Sequence, residues 1–273
     1  MPPSSLCNVK TAAACLLLIS AAIAPAGAGE ATATSDWTLT IGVEGRVLPR
    51  FEGSQNEILR PIPVFRVRRA GTPEQFRSAR DGAGVAVINT PQFKFGPAFK
   101  VKLPRKESDD IALRGLGDID WTLEAGGFAE FWPVDWLRTR LEIRQGFGGH
   151  HGVVGDLSAD VVLPVTERLT LSGGPRLTAA SAEATSPYYS IDATQSVASG
   201  LPVYSAGGGL RSYGAGIQAS YALAPGWRSY WFLEYERLAG QTADSPLVTQ
   251  RGTADQIQVG IGLTRSFNVP GLW

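Results

Sequence analysis

The residues best placed to do chemistry in this chain are charged and come in three groups. Asp120, Glu124 and Glu130 are followed by Arg138, Arg140, Glu142 and Arg144, and then by Asp156 and Asp160. Within each group the spacing is even. In a β-strand, residues two apart share a face, so each group marks one side of one strand. Acidic, basic and acidic faces on three consecutive antiparallel strands set opposite charges across from one another, each pair worth about 0.2–1 kcal/mol. Arginine forks binding carboxylates in pairs would cross-link such a wall. Two uses follow: a ladder that rigidifies and occludes a narrow lumen, or a selectivity lining for a small channel.

Catalytic and metal chemistry have thin support. The two histidines, His150 and His151, lie in Gly148-Gly149-His150-His151-Gly152. No serine with an orienting carboxylate accompanies them, so no hydrolase constellation forms. A metal would need a third ligand, for which Asp156 is the nearest candidate. The flanking glycines read as a mobile outer turn. No enzyme activity, metal or cofactor is expected.

The charged faces need strands to carry them, and the strands are legible. Ile257, Val259, Ile261, Leu263 and Phe267 alternate with Gln258, Gly260, Gly262, Thr264 and Ser266, giving a ribbon apolar on one side and small or polar on the other. The same period of two recurs in 37–48, 59–68, 82–88 and 93–103, and in six further segments from Ile119 onward. Several run to ten residues or more, longer than the usual soluble strand of about five or six, and a tilted strand of about that length crosses a bilayer. Short connections at 133–135, 164–167 and 224–226 alternate with long ones at 146–152, 179–209 and 239–254. That is the pattern of a membrane barrel with short periplasmic turns and long outer loops. The fold expected is all-β, a transmembrane antiparallel up-and-down β-barrel. Eleven strands are evident, yet two periplasmic ends demand an even number. Either a twelfth hides near 75–80, or two pieces are one interrupted strand and the total is ten. Twelve is the expectation.

The start of the chain fits export. Lys10 precedes an apolar stretch centred on Leu16-Leu17-Leu18-Ile19, and Ala26-Gly27-Ala28 offers a cleavage site, so residues 1–28 read as a cleaved signal peptide. Cys15 lies before the leucine run, which argues against a lipid anchor, and both cysteines, Cys7 and Cys15, leave with the signal. Beyond it, no apolar run is long enough for a membrane helix. The balance of 25 basic and 25 acidic residues, less Lys10, leaves no basic surface for nucleic acid. The expected order is a short periplasmic segment at 29–36, a barrel at 37–267 and an extension at 268–273. The place is the outer membrane, in contact with its lipid and inserted by the barrel assembly machinery.

Three motifs suggest a family. They are Pro49-Arg50-Phe51-Glu52-Gly53-Ser54 with Pro61-Ile62-Pro63, Ser199-Gly200-Leu201-Pro202-Val203-Tyr204 with Gly207 and Gly209, and Tyr235-Glu236-Arg237-Leu238-Ala239-Gly240 continuing through Ala243-Asp244-Ser245-Pro246-Leu247-Val248. In these the chain resembles the MipA/OmpV family over nearly all of its length after the signal. The resemblance implies an outer-membrane scaffold for peptidoglycan synthesis, bridging a murein transglycosylase and a penicillin-binding protein. Members commonly stop at the terminal aromatic. Here Asn268 to Trp273 follow, so Phe267 and Trp273 are both candidates for the terminal recognition residue. The alternatives are a narrow channel for small solutes and a surface adhesin using the loop at 180–209.

Overall fold

The structure is a computed structural model that describes residues 37–72 and 74–270. The expected signal peptide, the segment at 29–36 and Trp273 lie outside the described residues. Twelve strands form one antiparallel sheet. They are β1 (Trp37–Pro49), β2 (Glu57–Arg69), β3 (Ala83–Gly84), β4 (Ile88–Asn89), β5 (Phe93–Lys102), β6 (Thr122–Val134), β7 (Leu137–Gly148), β8 (Val153–Pro164), β9 (Leu169–Ala180), β10 (Gly209–Ala224), β11 (Trp227–Leu238) and β12 (Asp255–Val269). All but β3 and β4 run ten to sixteen residues, long enough to cross a bilayer at a tilt. From β5 onward each strand pairs with the next, and β12 pairs with β1, Thr40 facing Ser266 and Val47 facing Val259. β12 continues through Asn268 and Val269, so the wall takes in two residues of the segment expected to follow the barrel.

Burial is inverted relative to a soluble protein. Ile261 faces outward and is 62% exposed, whereas Arg138, on the inner face, is wholly buried. An apolar outer face of this kind suits a lipid shell, and Trp136, Tyr221 and Trp227 at the turn end and Trp121, Tyr213 and Tyr235 at the loop end supply exposed rings at the two rims. The small face of β12 has a packing reason. A Cβ at Gly260 would stand 2.3 Å from the Phe232 ring, and one at Gly262 2.3 Å from the Tyr230 ring, so these glycines make room for two inward aromatics of β11.

The expected region 82–88 is a broken strand, β3 then β4, and 75–80 is not a strand at all. Residues 74–82 instead cross the lumen. Glu74 meets Arg228 at the turn end (3.0 Å), Phe76 packs edge-on against Trp132, the Ala79 N–H donates to Gln218 (3.1 Å), and Gly82 N–H reaches Glu142 (3.2 Å). The parity argument is thereby resolved: the hidden crossing exists, but inside the barrel. Its consequence is visible in the wall. β2 is antiparallel to β1, and β3 is antiparallel to β5, so β2 and β3 run in the same direction. They are the two ends of the sheet order, unpaired with one another among the described residues.

Prolines mark this seam. The ladder of β2 with β1 is unbroken from Glu57 to Arg69, and proline has no N–H to donate. Pro61 and Pro63 therefore both turn their nitrogens away from β1, toward the open edge. The unbroken ladder of β5 with β6 puts Pro97 in the same situation on the other side, in the gap between β3 and β4. Proline is tolerated in a sheet where no ladder bond is lost.

Candidate functional site: a filled lumen beneath a folded cap

The charged faces converge at mid-lumen. Arg138 joins Asp81 (2.7 Å), Glu130 (2.9 Å) and Asp160 (3.0 Å). Arg140 lies between Glu130 (3.2 Å) and Glu142 (2.7 Å). Arg144 meets Glu124 (3.0 Å), Glu142 and Asp156. All of these partners are largely buried, so each carboxylate is held by forked guanidinium donors out of water. Asp120 stands apart. β6 begins at Thr122, and Asp120 is exposed and makes no ion pair among the described residues. Its place in an even-numbered series was an accident of spacing, because the chain around Ile119 belongs to a loop bridge with Arg105.

Further members join the network, two of them from the polar faces of neighbouring strands. Lys94 of β5 binds Glu130 (3.0 Å), and Arg176 of β9 binds Asp160 (2.6 Å). The lumen crossing adds Asp81, and also Arg80, which meets Asp156 (3.3 Å) and Glu236 (3.1 Å). The crossing thus carries charges that cement strands on opposite sides of the barrel.

His150 does not sit in an open turn. It is 2% exposed, its Nε2 is 3.2 Å from Glu124 and its Nδ1 accepts the Gly152 N–H (3.3 Å). That pair of contacts fits the tautomer in which Nε2 donates to the carboxylate. The neighbouring glycines are close-packing positions: a Cβ at Gly149 would lie 2.2 Å from the Asp120 carbonyl, and one at Gly152 2.1 Å from the Ala184 nitrogen. No group of three or more metal-binding side chains occurs among the described residues.

Above the network the long loops fold together. Helices α1 (Ala182–Tyr189), α2 (Ala193–Ser199), α3 (Gly240–Ala243) and α4 (Pro246–Arg251) lie in them. Phe51, Leu113, Leu116, Ile191, Leu201 and Leu247 make one apolar cluster, and Ile119, Tyr188, Tyr189, Ala206, Leu238 and Val248 a second. All three sequence motifs feed this cap. Beneath it Glu52 binds Lys102 (3.1 Å), Arg211 and the Tyr189 hydroxyl (3.2 Å). Burial alone would raise the Glu52 carboxyl, but Arg211 and Lys102 outweigh it and hold the group well below the usual carboxylate range. Burial also pushes the Tyr189 phenol well up, so it stays a donor. Phe267 faces outward at the turn end of β12, opposite Leu39.

The turn-end half of the lumen is less full. A cavity of about 600 Å³ lies there, bounded by the lumen crossing and by β2. A smaller hollow of about 400 Å³ lies at the rim among Arg68, Glu74, Arg168, Trp227 and Arg228.

The family model described as MltA-interacting protein MipA matches residues 41–267. None of the curated proteins matches. Among solved structures the chain is similar to an outer membrane channel of Pseudomonas putida F1, at 10% identity and a TM-score of 0.44, over 85% of this chain and 96% of that one. It is also similar to the NanC porin, at 10% identity and a TM-score of 0.39, over 84% of this chain and 98% of that one. A third is OmpT of Vibrio cholerae, at 9% identity and a TM-score of 0.37, over 85% and 97% respectively.

Proposed function

The chain belongs to the MipA family of MltA-interacting proteins and is an outer-membrane β-barrel protein, and on that premise we propose that it is a non-conducting scaffold. In this reading it holds a murein transglycosylase at the inner surface of the outer membrane, and through it a penicillin-binding protein. The observation that supports it is the filled lumen. Arg138, Arg140 and Arg144 tie the carboxylates of β6, β7, β8 and the lumen crossing into one buried network at mid-depth, beneath a cap with its own apolar core. A barrel closed in this way serves by its surfaces. The rim hollow beside Arg168 and Trp227 offers a concave contact among turns too short to grip a partner by themselves. The loop at 180–209 directs Tyr188, Tyr189, Ile191 and Leu201 into the cap, which favours a structural use over an adhesive one.

Planar-bilayer recordings of the refolded protein test the closed lumen, with silence expected. Steady open currents, abolished by bulky substitutions along the lumen, would establish the channel reading instead. Photocrosslinkers placed at Arg168 and Trp227 in cells should capture a murein hydrolase or synthase, and their repeated absence would count against the scaffold.

A further inference from the structure

We propose that the turn-end cavity is a lateral binding site for the phosphate headgroup of a phospholipid from the periplasmic leaflet, entered through the seam between β2 and the lumen crossing. This inference is independent of the scaffold reading.

The first support is the way β2 lines the cavity. Along a strand in a closed wall, alternate residues face opposite sides, and only one set can border a lumen. Here Ile62, Val64 and Arg66 border the cavity, and so do the outward-facing Pro63 and Phe65. Both faces of one strand reach a single cavity only around its free edge. That edge is the one Pro61 and Pro63 deprive of donors, and β3, running in the same direction, does not pair with it among the described residues. The cavity is therefore open sideways, toward the acyl-chain region, at a level set by Trp132, Pro164 and Arg228 beside the short turns.

The second support is charge. Of the acids bordering the cavity, Glu44 is engaged by Arg46 (2.7 Å) and Tyr230 (2.8 Å), Glu74 by Arg228 (3.0 Å) and Asp81 by Arg138 (2.7 Å). Asp135 is exposed on the turn itself. Two cations remain. Arg66 has neither an ion pair nor a side-chain hydrogen bond among the described residues, and Arg77 donates only to the Gly82 carbonyl (2.6 Å). Two guanidinium groups with no ion pair among the described residues (the nearby Asp81 is taken up by Arg138), in one cavity with Ser172, Ser220 and Gln218, make a site for an anion that accepts several donors at once. A volume of about 600 Å³ suits a headgroup and the first part of its chains, with the tails left in the membrane along Phe65 and Pro63. An anionic headgroup joined to apolar tails is the ligand that satisfies both the arginines and the sideways opening.

The test uses the full chain in a mild detergent, titrated in native mass spectrometry with three probes. These are phosphatidylglycerol, a diacylglycerol with the same tails, and inorganic phosphate alone. One phosphatidylglycerol per chain is expected, bound at least tenfold more tightly than either of the others. Arg66→Gln with Arg77→Gln should reduce that affinity at least tenfold, and Arg66→Lys should restore part of it. Heat-modified gel mobility checks that each variant has folded. Diacylglycerol binding as well as phosphatidylglycerol would overturn the proposal in favour of an apolar groove. Phosphate binding as well would overturn it in favour of a free-anion site. Because those comparisons use the wild-type chain, a variant that fails to fold leaves the proposal exposed to refutation.

Discussion

Replacing Arg138 by alanine should destabilise the barrel by about 3 kcal/mol, and the number can be built from its surroundings. The guanidinium is wholly buried and serves Asp81, Glu130 and Asp160 within 3.0 Å. Breaking a buried pair by removing one partner costs about 3–5 kcal/mol, chiefly because a charge is left without compensation. Here each orphaned carboxylate keeps a second cation: Asp81 has Arg140 at 3.7 Å, Glu130 has Lys94 at 3.0 Å, and Asp160 has Arg176 at 2.6 Å. The low end of the range is therefore the expected value. Arg237→Ala provides the contrast. Its bridge to Asp255 is as short, 2.6 Å, but both side chains are nearly half exposed, and such pairs contribute at most about 1 kcal/mol. Urea unfolding in lipid vesicles, followed by tryptophan fluorescence, gives both free energies from midpoint and slope. If Arg138→Ala cost no more than Arg237→Ala, burial would not be what gives the lumen network its strength.

Three further outcomes follow from the same structure. Ile261→Arg places a charge on the lipid face near the middle of β12, and should cost about 2–4 kcal/mol by vesicle unfolding. Gly262→Val should overpack against the Tyr230 ring, lowering stability by about 1–3 kcal/mol with an altered near-ultraviolet dichroism. The cap should loosen in acid. The Glu52 carboxyl is depressed in the folded protein from an ordinary value of 4.5, so its stabilisation is complete above that pH and is lost as pH falls further. Limited proteolysis of the outer loops between pH 7 and pH 3 should show this onset, and Glu52→Gln should remove most of the pH dependence.

How much was legible depended on whether a residue had two distinct sides. β12, β7 and β11 face lipid on one side and the lumen on the other, so a period of two is written into them and their register follows. The arginines of β7 and the acids of β6 and β8 were readable for that reason. Asp120 was misplaced because even spacing continues past a strand's end without any mark. Residues 74–82 cross the lumen without joining a sheet and have no two-faced pattern to show. Only strand parity pointed to them, and parity does not say whether a crossing lies in the wall or inside it. His150 was misread because glycine signals both freedom and tight contact, and the sequence does not say which. Arg80 and Asp81 became network members through tertiary placement alone.

The position of the seam separates the order of synthesis from the order of closure. Thr38 hydrogen-bonds Asn268, 230 residues away, so the first strand made must wait for the last one before it acquires its second neighbour. Strands β2 and β3 are neighbours in the chain, yet they form the rim of the finished wall because the intervening chain turns inward. Closing the circle at β1 and β12 is thus a long-range event, and so is filling the interior, since Arg80 of the crossing reaches Glu236, 156 residues away. A chain permuted to begin at Ala83 and end near Arg80, with its native termini joined, would emerge with spatial and sequential order aligned. It would also carry its two ends beside the seam where, among the described residues, β2 and β3 have no hydrogen-bond ladder to complete.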